Sequence, residues 1–111
     1  MLITAISATG CAADRGAEAS GKTAKLLIEA LALSEGGEDL AELMIQQPET
    51  QARQACIASY LYIQNWSEQH HADFLTLTNG TGNLTEPNPE LSEEQTMKIL
   101  APLLSAFEAC Q

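Results

Sequence analysis

Two stretches of this chain have residue types and spacing that could do chemistry. Gly16-Ala-Glu-Ala-Ser-Gly21-Lys22-Thr23 matches the G-x-x-x-x-G-K-[ST] pattern letter for letter. In that pattern the N–H groups of a glycine-rich loop cradle phosphates, the lysine reaches the β and γ phosphates, and the hydroxyl holds magnesium. The surroundings oppose it. An apolar strand should feed straight into Gly16, yet small and polar residues, Gly10–Arg15, intervene. No later apolar strand ends in an aspartate for the metal. Glu18 would also place a carboxylate in a loop meant for anions. The plainer reading is the start of a helix rich in small residues, and nucleotide binding through Gly16–Thr23 ranks third among the functional readings. The second stretch is His70-His71, flanked by Glu68 and Asp73. Adjacent helical residues point about 100° apart, so the pair cannot ligate a metal as an i, i+4 pair would. An exposed helix C-terminus, where the dipole favours histidine, is the plainer account. The expectation is therefore no catalytic residue, no metal and no cofactor.

The cysteines are Cys11, Cys56 and Cys110. Ala8-Thr9-Gly10-Cys11 resembles the lipobox ahead of a lipid-modified cysteine, with small residues that suit a signal peptidase groove. Met1–Ser7 is too short and too uncharged to be its apolar core, so that reading requires a start further upstream. Acylation of Cys11 would leave Cys56 and Cys110 as an even pair able to form a disulfide. The odd count favours the alternative, three reduced thiols in a cytoplasmic protein that behave as small core hydrophobes. Asn65-Trp-Ser67, Asn79-Gly-Thr81 and Asn83-Leu-Thr85 all fit N-x-[ST]. Serine and threonine are plentiful, and Asn65 is placed mid-helix by the periodicity, so coincidence is the better account.

Charge is the strongest signal. Fifteen acids stand against five cations, a formal net charge of −10. Beyond Lys25, thirteen acids face only Arg53 and Lys98. Such a field repels nucleic acid and anionic membrane and attracts basic protein surfaces. Two clusters carry it. Glu35, Glu38, Asp39, Glu42 and Glu49 gather in one, and Glu86, Glu90, Glu93 and Glu94 in the other. The competing account is a solvated face that keeps a small protein soluble.

These residues must be positioned by one domain, residues 1–111. Its composition, 45% hydrophobic and 18% charged, is that of a folded protein. The periodicity predicts a mainly α fold of about four helices. The first runs from Ala17 or Ser20 to Ser34 and stops at Gly36-Gly37. The second covers Glu38–Gln47, and Pro48 opens a third over Glu49–His70. Phe74–Thr78 alternates like a strand, Asn79-Gly80 signals a tight turn, and Asn83–Thr85 could return; Met1–Ser7 also reads as a strand. A capping box of Ser92 and Gln95 starts the last helix, and Pro102 should kink or split it.

The leading expectation is a small acidic, non-enzymatic protein-binding domain. It would bind through Glu35, Glu38, Asp39, Glu42, Glu49, Glu90, Glu93 and Glu94 to a protein with a basic surface, without touching nucleic acid itself. A narrower form is an inhibitor of the immunity or phage anti-defence type, covering a nucleic-acid-binding groove on an enzyme. The alternative is a cell-envelope helical domain anchored at Cys11 with Cys56 and Cys110 joined, the one case in which a membrane is involved.

Overall fold

The computed structural model describes residues 2–111, with side chains from Gly16 onward. Four helices follow one another: α1 (Leu2–Gln46), α2 (Pro48–Ile63), α3 (Glu68–Thr78) and α4 (Glu93–Ala109), with no strand among the described residues. The mainly α expectation holds. The first helix is divided where the two glycines predicted. Gly37 has φ 73° and ψ −179°, a conformation open only to glycine, so the chain kinks there and resumes helix at once. The expected first two helices are thus the two limbs of α1.

The core forms where α1 lies across α2 and α3, and α4 closes over α2 and α3. Ala24, Leu27 and Ile28 of α1 meet Ile57 and Leu61 of α2, Phe74 of α3, and Leu103 and Ala106 of α4. Ala19, Ser20, Thr23 and Ala24 are all buried. These short side chains let α1 approach its neighbours closely. Small residues that looked like a phosphate loop in the sequence are a helix-packing face.

Two of the predicted β elements are helical, and the return strand expected at Asn83–Thr85 is loop and turn. Leu2–Ser7 lies within α1, and Met1 is outside the described residues. Phe74–Thr78 is the second half of α3. Phe74, Leu77 and Thr78 are the buried residues there, at i, i+3 and i+4. A five-residue run fits periods of 2 and 3.6 alike, and burial decided for the latter. The threonines suit the helix because each hydroxyl turns back: Thr76 Oγ1 donates to Ala72 O at 3.1 Å and Thr78 Oγ1 to Phe74 O at 2.9 Å. Asn79-Gly80 is a helix stop rather than a hairpin turn. Asn79 takes the left-handed conformation (φ 55°), and Gly80 N–H reaches Leu75 O at 2.8 Å.

The predicted third helix is also interrupted. It stops at Ile63, and Asn65, at φ 65°, turns the chain. Trp66 N–H then closes on Leu61 O at 3.0 Å. Asn65 therefore lies in a turn, not mid-helix, and the turn swings Trp66 into the core, where it is 3% exposed. A second capping box, Ser67 with His70, restarts the chain as α3. After α3 a loop crosses α1. A Cβ on Gly82 would come within 2.8 Å of Leu26 O, so only glycine allows that approach. The predicted Ser92–Gln95 box is formed, and α4 continues through Pro102 without a split.

Candidate functional site: an acidic kink beside a groove

Two places in the fold concentrate polar side chains. The first is where α1 meets the α2–α3 turn. Trp66 Nε1–H donates to Thr23 Oγ1 at 2.8 Å, and Thr23 Oγ1–H donates to Ala19 O at 3.0 Å. His71 Nδ1 lies 2.7 Å from the same oxygen. A hydroxyl has one hydrogen and two acceptor positions. With the hydrogen given to Ala19 O, His71 must donate from Nδ1, which leaves its Nε2 as the titrating nitrogen. Burial, and then the nearby Lys22 ammonium, hold the His71 pKa below the usual histidine value. His70 turns the other way. Its Nδ1 accepts from Ser67 N–H at 3.0 Å, and its ring stacks on Trp66 with centroids 5.0 Å apart.

This junction accounts for both sequence motifs. Gly16–Thr23 is helical throughout and offers no loop, Thr23 is fully buried, and Lys22 pairs with Glu18 at 3.2 Å on the surface. The two histidines are in the first turn of α3, not at a helix C-terminus, and each is committed to a different partner. Among the described residues no group of three metal-binding side chains assembles.

The second place is the kink. Glu35, Glu38, Asp39 and Glu42 are all exposed on the two limbs of α1 around Gly37. Three leucines among them are also exposed: Leu33 at 48%, Leu40 at 54% and Leu43 at 61%. The post-kink limb is nevertheless seated, since Ala41 is only 3% exposed. Between this limb, the body of α1 and α2 runs an open groove of about 780 Å³. Ile28, Leu31 and Met44 line it with apolar surface, Glu35 and Glu49 add carboxylates, and Arg53 adds a guanidinium.

One wall of the groove is covalent. Cys56 and Cys110 are joined by a disulfide, with S–S 2.08 Å and Cα–Cα 5.8 Å. That overturns the expectation of three reduced thiols, and Cys56 is an exposed residue rather than a core one. The pairing follows from antiparallel packing. Gln64 Nε2 donates to Pro102 O at 3.3 Å, and eight residues back along α2 and eight on along α4 the two cysteines meet. Cys11 falls where no side chains are described.

The eight acids predicted to bind a partner do not form one surface. Glu35, Glu38, Asp39, Glu42 and Glu49 belong to the kink and groove. Glu90, Glu93 and Glu94 lie at the far end of α4 from Cys110, about 25 Å away at roughly 1.5 Å rise per residue. Glu94 is also within 3.9 Å of Lys98. Sequence reasoning missed the exposed leucines and Arg53. The leucines fall at helical spacing among apolar neighbours, a pattern that by itself points to a buried stripe rather than an exposed face. Arg53 did carry a signal, as one of only two cations beyond Lys25.

No family model matches the chain, and no curated protein or solved structure matches it either. Fold and site together define an all-α, disulfide-bonded domain with an acidic, leucine-bearing face. No helix among the described residues is long and apolar enough to cross a membrane.

Proposed function

We propose that this is a non-enzymatic protein-binding domain whose kink face and groove receive a basic, partly apolar surface of another protein. The observation that carries the reading is the set of half-exposed leucines, Leu33, Leu40 and Leu43, framed by Glu35, Glu38, Asp39 and Glu42. Apolar side chains interleaved with like charge offer contact area together with charge steering. A solvated face built only for solubility would need the acids and not the leucines.

The test is retention of a partner from host extract on the parent domain and on a Glu38→Lys, Asp39→Lys, Glu42→Lys variant. The Debye length shrinks from roughly 10 Å at 0.1 M salt to about 3 Å at 1 M. A protein held by the parent at low salt, and lost both at high salt and in the variant, supports the reading. Equal retention in all arms overturns it.

The disulfide favours a second element of the proposal, the compartment. Such bonds persist in oxidising surroundings and are rare in the cytosol. We therefore place the binding domain in the cell envelope, anchored through an acylated Cys11, rather than in the cytoplasm as an inhibitor. Mass spectrometry of native host protein tests this directly. A lipid on Cys11 supports it, and a free Cys11 thiol beside reduced Cys56 and Cys110 overturns it.

A further inference from the structure

We infer that Arg53 sets the specificity of the groove by taking a carboxylate from the bound segment. The inference rests on the protein-binding reading above and names the chemistry of the occupant: an apolar peptide stretch with cations at its ends and one acidic side chain between them. Of the two cations beyond Lys25, Lys98 is within 3.9 Å of Glu94, whereas Arg53 has no carboxylate in ion-pair range among the described residues. Its Nε is shielded from water and has no hydrogen-bond partner. In a chain with three acids for every cation, an unpaired, half-buried guanidinium is conspicuous.

The guanidinium is also held in place. Its central carbon lies 4.7 Å above the centre of the Phe107 ring. Arg53 and Cys56 are three residues apart on α2, as are Phe107 and Cys110 on α4. Phe107 lies about one turn before Cys110, so the disulfide ties down the end of α4 that carries the ring and keeps it beside α2 under the guanidinium. A planar fork fixed in this way is suited to a carboxylate, which it can grip through paired hydrogen bonds. A simple fatty anion fits less well, because Glu35 and Glu49 line the same groove and the chain carries −10. A segment with two cations and one acid complements all three side chains.

The probe is a short synthetic peptide of leucine and alanine with lysine at both ends and one central glutamate, beside a twin in which that glutamate is glutamine. Binding of each to the parent, to Arg53→Gln and to Arg53→Lys is read by fluorescence anisotropy. Circular dichroism and the intact disulfide verify that each variant is folded. The parent should prefer the glutamate peptide by about tenfold, as expected for a partly exposed charge pair. Arg53→Gln should bind the twins equally, and Arg53→Lys should recover part of the preference. A purely structural Arg53 would weaken both peptides alike. If the parent binds the twins equally, the role of Arg53 is refuted while the docking reading stands. If neither peptide binds, both are refuted. Laurate binding more tightly than either peptide, and doing so through Arg53, would overturn the peptide assignment.

Discussion

The Thr23 junction and the kink groove are built from similar residue types and do opposite things with them. At the junction, Thr23 Oγ1 uses its one hydrogen and both acceptor positions, on Ala19, Trp66 and His71. At the groove Arg53 has no carboxylate in ion-pair range among the described residues, and at the kink beside it three leucines face solvent. Polar groups that satisfy one another hold a fold together and have no valence left for a ligand. Polar groups left open beside apolar surface are available to a partner. The junction contains the residues of the two recognisable motifs, and the groove contains none. In this protein the motif residues are structural, and the proposed binding face has no motif.

The sharpest way to break that contrast is to remove Trp66. Trp66→Ala should cost about 3–5 kcal/mol, since it empties a buried site and leaves Thr23 without its donor. Urea unfolding reads the loss, and a cost below about 1 kcal/mol would show that the junction holds little. Next comes the covalent wall of the groove. The disulfide closes a loop with a sequence separation of 54. Cys56→Ser with Cys110→Ser should lower stability by about 2–4 kcal/mol. It should also loosen the Arg53–Phe107 contact, visible as a shift of the Phe107 ring signals. A smaller effect is expected from Thr23→Val, about 1–3 kcal/mol, because Trp66 Nε1 and His71 Nδ1 both lose their acceptor in the interior.

At the kink the order of effects should reverse. Glu38→Lys, Asp39→Lys and Glu42→Lys should each cost within about 0.5 kcal/mol, with the larger share at Glu38 and Asp39, which begin the post-kink limb. Their effect should appear instead in partner association. Reversal of Glu93 and Glu94, at the far end of α4, should leave association at the kink unchanged. If the α4 pair matters as much as the kink acids, the two patches work together and the kink alone does not define the site.

The smallest effect is titration of His71. Its native pKa lies below 6.5, through burial and then Lys22. The unfolded chain therefore takes up a proton before the folded one does. The His71 contribution is fully present above about pH 6.5 and declines as pH falls through the window between 6.5 and the lowered native value. A Tm profile over that window should slope downward toward acid, and the slope should flatten in His71→Gln. A parent profile that rises on acidification there would contradict the assigned cause.

Local signals fixed much of this fold before any packing was known. Gly36-Gly37 broke the first helix, Pro48 opened α2, and Ser92 with Gln95 capped α4, because each acts within one turn of backbone. The same locality explains the failures. Over Phe74–Thr78 strand and helix periods coincide, and only burial of Phe74, Leu77 and Thr78 separated them. Asn65 gave no clear stop, because its left-handed turn is held by Trp66 reaching the core. The acids were legible from composition, but their division into two patches depended on the direction of α4.

By itself the sequence determined the helical class, the caps and breaks, and the sign of the field, since these follow from residue type and short spacing. Only the tertiary structure decided the rest. It joined Cys56 to Cys110 because α2 and α4 run antiparallel in that register. It buried Thr23 and left Leu40 and Leu43 exposed. It also set Arg53 over Phe107 with no carboxylate in reach. Each of these depends on residues tens of positions apart being brought together, which no local pattern encodes.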